Sequence, residues 1–186
     1  MDLASQLRIQ AHANRLANRR LHAAIAALPD AEFMAPRISF FPSLAQTLNH
    51  LLAVDLYYIG ALFGDTELEA TYRAFDPAAT IAALIPRQAH SDARLITWCN
   101  ALDAARCEAP VAMDRGTHVQ RDAAAHVLAH LFMHQTHHRG QVHAMLAGTA
   151  VKPPQLDEFL MPSDAPFRVD DMAALGWREA AVYGAG

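Results

Sequence analysis

A stretch that is rich in histidine, residues 126–143, constrains the fold of this chain more than any other feature. Seven of the 11 histidines lie between residues 118 and 143. The stretch contains no proline, and its apolar residues recur at helical spacing. They are Val127, Leu128, Leu131, Phe132, Val142, Met145 and Leu146. We therefore predict one long helix over about residues 120–147, with Gly148 placed to end it.

Four of these histidines, His126, His130, His134 and His138, follow one another at intervals of four. On a helix such residues share one face, with Cβ atoms about 5–6 Å apart, so that two imidazoles can hold one metal ion. Several such pairs arise together, and spacing alone does not select one of them. A third ligand has to come from a neighbouring helix, and His50 is a candidate. A histidine cluster that faces solvent without metal is the alternative.

The rest of the chain predicts three more long amphipathic helices. Ser43 and Gln46 fit a capping box at the start of the second one. Pro86 falls inside the third, where we expect a kink or a fresh start. The tail predicts short helices packed on the others, and no segment reads as a strand. The predicted long helices cover about residues 3–28, 43–64, 79–106 and 120–147, and the tail covers 151–186.

These segments together predict an all-α protein: a four-helix bundle in a single domain over residues 1–186, with the tail packed on it. Hydrophobic residues make up 53% and charged residues 18% of the chain, which excludes a disordered class. A net charge of -4 without a basic run argues against nucleic acid as a partner.

Two further features bear on the compartment. No apolar run approaches the roughly 20 residues needed to span a bilayer, and residues 1–7 lack the basic start of a signal peptide. Cys99 and Cys107 are too few for a disulfide framework, and no CxxC motif occurs. We therefore expect a cytoplasmic protein with no membrane partner.

A site of three neutral imidazoles suits zinc, nickel, copper or iron better than calcium or magnesium. Three ligands leave an open position, which is typical of a catalytic centre that activates water or a thiol. An HExxH motif is missing, so no acid or base residue is evident beside the histidines. An ExxH motif is also missing from these helices, which excludes a di-iron carboxylate bundle.

The run His-Gln-Thr-His-His-Arg-Gly-Gln-Val at residues 134–142 resembles the signature of the DinB/YfiT-like family, bacterial proteins regarded as metalloenzymes and named after a damage-inducible gene. Residues 49–55, Asn-His-Leu-Leu-Ala-Val-Asp, resemble the second-helix motif of that family. The tail segments 153–159 and 175–177 resemble one proteobacterial branch of it. The resemblance covers nearly the whole chain.

This resemblance implies a four-helix bundle that holds a metal ion, nickel or zinc, through His50, His134 and His138. Relatives use low-molecular-weight thiols as cosubstrates and often form homodimers. The implied function is a thiol S-transferase or hydrolase that attacks a small electrophilic substrate. The alternative is a metal-binding or ligand-binding module for stress response without turnover.

The neighbours of these candidate ligands are expected to have structural roles. His137 points about 100° away from His138 on the helix, which predicts a packed residue or one that supports a ligand. His126 and His130 are expected in the core or at its boundary, and His143 in solvent. Arg139 is expected in an ion pair at the surface or at an interface.

Overall fold

The computed structural model describes residues 1–184 and confirms the predicted all-α class. Four long helices form a bundle, and a small hairpin and several short helices pack on its outside. Within the described residues the α-helices are α1 (Leu3–Ala26), α2 (Asp30–Met34), α3 (Leu44–Phe63), α4 (Leu68–Arg73), α5 (Ile81–Asn100), α6 (Ala104–Glu108), α7 (Ala124–Leu146), α8 (Val169–Ala174) and α9 (Glu179–Tyr183). The hairpin strands are β1 (Pro110–Asp114) and β2 (Val119–Ala123), and a 3-10 helix spans Pro162–Arg168.

The bundle helices α1, α3, α5 and α7 pack in a ring. Helix α1 packs mainly on α5 and α7, and helix α3 packs on the same two helices. Consecutive long helices α1 and α3 are therefore diagonal to each other, and the chain between them crosses the end of the bundle. Because α3 and α7 are neighbours, residues from the two predicted histidine motifs can meet between them.

Helix α3 begins and ends where the sequence predicts. The Ser43 side chain accepts a hydrogen bond from the Gln46 backbone N–H at 3.0 Å, which satisfies a free donor at the helix start. The backbone N–H of Ser43 donates to the Phe41 carbonyl, rather than to the Gln46 side chain that a full capping box would use. Gly64 ends the helix with φ of 78°, a left-handed conformation that glycine adopts without strain.

The hairpin of β1 and β2 corrects the prediction that no strands occur. The two strands are antiparallel, with Pro110 opposite Ala123 and Asp114 opposite Val119. Helix α7 therefore begins at Ala124 and not near residue 120. In β1 only Val111 and Met113 alternate into the core, and β2 has no buried alternation, so the local pattern was too weak to predict a strand pair.

The third predicted helix is shorter than expected and does not break at Pro86. Helix α5 is continuous from Ile81 to Asn100 with Pro86 inside it, so the expected fresh start is wrong, and the kink stays a prediction. Asp103 caps a separate short helix, α6, by accepting from the Arg106 backbone N–H at 2.7 Å. None of the helices in residues 1–184 is both long and apolar enough to cross a membrane.

The tail is fastened to α1 by two arginines, of which Arg19 donates to Asp171 at 2.7 Å and Arg20 makes the larger set of contacts. The Arg20 guanidinium donates to both Asp171, at 2.6 and 2.9 Å, and Glu158, at 2.8 Å. Its Cζ also lies 4.5 Å from the centroid of the Phe159 ring. These contacts lay the tail along α1, as the sequence predicts for residues 151–184. Residues 185 and 186, the end of the predicted tail, lie outside the described residues.

Buried polar side chains cross the centre of the bundle. Asp55 of α3 accepts from Gln88 at 2.7 Å and from Gln135 at 2.9 Å, so both of its oxygens are satisfied. Each of the four long helices contributes to this set, which ties them together at one level. We name it the polar core: Asn14, Asn18, Asp55, Gln88, Asp92, Gln135 and Arg139.

The second carboxylate of the polar core is Asp92 of α5. It accepts from the side-chain amides of Asn14 at 3.2 Å and Asn18 at 3.0 Å. The amide oxygens of the same two asparagines accept from Nη1 of Arg139, at 3.0 Å in the case of Asn18. Arg15 adds an ion pair to Asp92 at 3.4 Å. The asparagines thus connect the arginine to the carboxylate.

Candidate metal centre

Three histidines from two helices converge between α3 and α7. His50 lies in the second turn of α3, and His134 and His138 lie one turn apart on α7. Each offers a ring nitrogen, and the three nitrogens all lie within 4.8 Å of one another. The Nε2 atoms of His50 and His134 are 3.2 Å apart. We name His50, His134 and His138 the histidine cluster.

The ring of His138 is held by a neighbour on its own helix. Its Nδ1 lies 2.8 Å from the side-chain oxygen of Gln141, an atom that can only accept. The proton of His138 is therefore on Nδ1, and Nε2 keeps a free lone pair. A hydrogen bond of this kind on the far ring nitrogen is the usual support of a metal-binding histidine.

The remaining nitrogens of the cluster have few protein partners. His134 Nδ1 is buried and has no hydrogen-bond partner among the described residues. His50 Nε2 contacts Nε2 of another imidazole, His134. This contact involves one nitrogen of each ring, so it cannot satisfy both nitrogens of either ring. The Nε2 atoms of His50 and His134 thus face each other, and at least one of them carries a lone pair rather than a proton.

The three imidazoles are neutral at pH 7. Burial, together with the charges that His138 and His50 would carry if protonated, lowers the pKa of His134 to about 3. Burial, with the charge of His138, lowers the pKa of His50 to about 4. Burial also lowers the pKa of His138, although the bond to Gln141 opposes this shift. Neutral rings have free lone pairs, which is the form that binds a metal ion.

One face of the cluster is covered and two openings flank it. The Phe41 ring packs on His50 with centroids 4.4 Å apart and on His138 at 5.7 Å. A cavity of about 350 Å³ has His134 in its wall. A second cavity, of about 730 Å³, has His50 and Phe41 in its wall. Small molecules can therefore reach the cluster from the sides that Phe41 leaves open.

The spacing of two of the ring nitrogens is compatible with a tetrahedral metal ion. Metal–nitrogen bonds of about 2.0–2.1 Å place ligand nitrogens about 3.3 Å apart in a tetrahedron. The 3.2 Å separation of His50 Nε2 and His134 Nε2 matches that spacing. The free Nε2 lone pair of His138 fits the same ligand set.

The other histidines of α7 do not join the cluster. His126 and His130 are exposed, so the prediction that they lie in the core or at its boundary is wrong. The ring of His130 lies 6.3 Å from that of His134 and faces the 350 Å³ cavity. His137 is exposed, and its Nε2 accepts from the Gln141 amide at 3.1 Å, so it supports the residue that holds His138. His143 is half-buried and hydrogen-bonds to the Pro154 carbonyl at 2.9 Å.

Arg139 is buried, which corrects the expectation of a surface or interface ion pair. Its side chain points into the polar core and donates to Asn14 and Asn18. Burial lowers the pKa of Arg139 to about 10, while the charges of Asp92 and Asp55 oppose that shift. A guanidinium with a pKa of about 10 keeps its charge at neutral pH.

Several supporting residues could not be identified from the sequence as parts of the site. Asn49, beside His50, accepts from the Ala78 backbone N–H at 2.7 Å and donates to the Ala78 carbonyl at 2.9 Å, which fixes the segment before α5 against α3. Gln141 orients His138. Asn49 and Gln141 both lie within the two motifs that resemble the family. Their position in those motifs was the one sequence feature that could have indicated a role at the site.

One comparison with known proteins identifies a family. Residues 9–168 match the DinB family. No curated protein matches the chain. The match covers most of the chain and includes all three members of the histidine cluster. The chain therefore belongs to the DinB family.

Proposed function

We propose that this protein binds one divalent transition-metal ion, nickel or zinc, through His50, His134 and His138. We propose further that it uses the ion to activate a low-molecular-weight thiol or water for attack on a small electrophilic substrate. The observation that carries the proposal is the convergence of three ring nitrogens within 4.8 Å between α3 and α7. When bound there, the ion would supply a Lewis acid with an open position, which lowers the pKa of water or a thiol.

The chain's own residues provide orientation and access. Gln141 keeps the Nε2 lone pair of His138 free by holding the proton on Nδ1. Phe41 excludes water from the face of the cluster formed by His50 and His138. The 350 Å³ cavity beside His134 is within the size range of small-molecule sites, so a substrate can lie next to the cluster.

A second candidate function is a metal-binding or ligand-binding module in stress response, without turnover. The observation that favours it is the composition of the site. The cluster consists of histidines alone, and Glu69, a carboxylate in the adjoining cavity, is engaged by Arg73. No unpaired carboxylate is therefore positioned at the cluster within the described residues. A protein that binds metal tightly but consumes no thiol or electrophile would support this function.

Activity measurements separate the two functions. The protein, made without a histidine tag, is loaded with zinc and with nickel separately and assayed with several bacterial thiols against a panel of electrophiles. We expect thiol-dependent consumption that His50→Ala and His134→Ala each abolish. The two losses should be non-additive, because either substitution removes the same ion. His126→Ala, on the same helix but outside the cluster, is the matched control. Activity that survives both cluster substitutions would contradict the site.

The homodimer, the cytoplasmic location and the single domain expected from the sequence belong to this proposal. The free cysteines Cys99 and Cys107 are compatible with a reducing compartment. Exposed apolar side chains of Met34, Ile38 and Phe40 precede α3 and offer a surface for a second copy. Light scattering at micromolar concentration tests the dimer, and a monomeric mass would contradict it.

A further inference from the structure

The tip of the β1–β2 hairpin forms one wall of the cavity beside His134. The hydroxyl of Tyr57 on α3 donates to the Asp114 carbonyl at the end of β1, which fastens the tip to the bundle. The Asp114 side chain then accepts from the backbone N–H of Gly116 at 2.8 Å. Gly116 has φ of 78°, so the turn suits glycine at that position. Arg115 is held between these two residues and faces the cavity.

Arg115 is built into an aromatic wall. Its Cζ lies 5.2 Å from the ring centroid of Tyr57 and 5.5 Å from that of Tyr58. Its Nη2 donates to the Tyr58 hydroxyl at 3.2 Å, and its Nε donates to the Gln120 side chain at 3.1 Å. These contacts fix the guanidinium plane. A fixed guanidinium loses less side-chain freedom when it binds an anion than a mobile one does.

The positive charge of Arg115 has no carboxylate partner within residues 1–184. In the same described part of the chain, its Nη1 makes no hydrogen bond. The two carboxylates in the cavity wall are engaged elsewhere: Glu69 pairs with Arg73, and Asp114 binds the Gly116 N–H. The cavity therefore presents a fixed cation with a free donor.

We infer that Arg115 anchors a carboxylate of a small molecule that lies in this cavity and reaches the histidine cluster at His134. Arg115 and His134 line the same space of about 350 Å³, so one small molecule can contact both. Tyr57, Tyr58 and Tyr72 line the same cavity, and their rings suit a planar apolar body. The ligand class is a small organic acid, whose carboxylate belongs either to the electrophile or to the thiol.

This inference deepens the proposed function by naming a ligand class for the same cavity. The role of the ligand in a reaction rests on that function. Its binding to Arg115 does not, because Arg115 is outside the histidine cluster and carries its charge with or without a metal ion. The two ideas can therefore fail separately.

Binding of benzoate and of its neutral isostere benzamide tests the anchor. Calorimetry is done on metal-free and zinc-loaded protein. We expect benzoate to bind at least about tenfold tighter than benzamide, as for a hydrogen bond to a charged group. Arg115→Gln should remove the preference in both forms, and Arg115→Lys should restore part of it. The conservative lysine variant and a check of thermal unfolding separate loss of the charge from loss of the hairpin.

Arg121→Gln is the matched control, because Arg121 is an exposed arginine on the same hairpin and outside the cavity wall. It removes the same net charge and should leave the preference for benzoate unchanged. The inference is overturned by wild-type protein that does not prefer benzoate, by a preference that persists in Arg115→Gln, or by an equal loss in Arg121→Gln. Wild-type protein that takes up no zinc but keeps the preference contradicts the proposed function and supports the anchor.

A pair of thiols then identifies the molecule that carries the carboxylate. Cobalt-loaded protein is titrated with 3-mercaptopropionate and 2-mercaptoethanol, and the thiolate charge-transfer absorption is followed. An advantage of 3-mercaptopropionate that disappears in Arg115→Gln supports an anchor for the thiol. Equal binding of the two thiols, together with the benzoate preference, supports an anchor for the electrophile. An advantage that survives in Arg115→Gln counts against Arg115 in either role.

Discussion

Helix α7 carries two polar clusters side by side, and they differ in how far the protein satisfies them. Gln135 and Arg139 point into the polar core, whereas His134 and His138, each one position earlier, point toward His50. Consecutive residues lie about 100° apart around a helix, so one helix serves both clusters. In the polar core each carboxylate oxygen accepts a hydrogen bond from a neighbouring helix, although the buried Oε1 of Gln135 has no partner among the described residues. In the histidine cluster the Nε2 atoms of His50 and His134 contact only each other among the described residues.

The difference assigns different roles to the two clusters. Buried carboxylates that are hydrogen-bonded on both oxygens hold a fold in one arrangement, and removing one of their partners is costly. Ring nitrogens that contact only each other can instead be completed by a partner from outside the chain. The polar core therefore acts as a structural lock between the four long helices. The histidine cluster is the part of the bundle that is prepared for a metal ion.

The largest effect is expected from breaking the polar core. Arg139→Met removes the buried cation near Asp55 and Asp92 and leaves Asp92 with only Arg15, which should lower the free energy of unfolding by about 3–5 kcal/mol. Chemical denaturation of metal-free protein, followed by circular dichroism, measures it. His134→Ala under the same conditions should change the stability of metal-free protein much less. Equal losses in the two variants would remove the distinction between the clusters.

The charge state of the polar core predicts a pH dependence of stability. Burial, with the charge of Asp92, raises the pKa of Asp55 to about 7, and burial raises that of Asp92 to about 6. The folded protein thus binds more protons than the unfolded chain, in which both carboxyls titrate near 3.8. The free energy of unfolding from these groups should fall as the pH rises from about 4 to about 7, by at most about 1.4 kcal/mol per pH unit for each group.

Asp55→Asn isolates this contribution. Histidines with lowered pKa values, such as His22 at about 3 because of burial, act in the opposite direction. Their effect is common to both proteins and cancels in the difference. The stability of the wild type minus that of the variant should decrease with rising pH in urea titrations. A flat or rising difference would argue that Asp55 is ionised throughout.

The smallest effect concerns the support of one candidate ligand. Gln141→Leu removes the acceptor for Nδ1 of His138 and should weaken zinc binding by about tenfold, the lower end for such supporting residues. Gln141→Glu keeps an acceptor at the same place and should bind zinc at least as tightly as the wild type. Competition with a chromophoric chelator measures both affinities. Equal weakening in the two variants would mean that the acceptor at position 141 is not what matters.

Sequence reasoning works where the determining contacts are local. Helix α3 could be predicted because Ser43 and Gly64 mark its ends within a few residues. The spacing on one helix made His134 and His138 one of several possible pairs, and His50 was a candidate for the third ligand. The choice of these three came from the resemblance to a family, because only the packing of α3 on α7 brings His50 close.

The predictions that failed concern residues whose positions depend on contacts with distant parts of the chain. Arginine is expected at the surface, but Arg139 is buried because Asn14 and Asn18, more than a hundred residues earlier in the chain, accept its hydrogen bonds. Strand β2 has no alternation of its own and exists because it pairs with β1. Arg115 was not identified as a candidate because its position in the cavity depends on that hairpin.

The metal content of the protein tests the central claim most directly. Protein made without a histidine tag is equilibrated with zinc or nickel, freed of excess ion and analysed by elemental spectrometry. We predict one ion per chain in the wild type and in the control His126→Ala, and no bound ion in His50→Ala, His134→Ala or His138→Ala. A wild type without bound ion, or cluster variants that keep a full equivalent, would contradict the claim that the histidine cluster between α3 and α7 is a metal site.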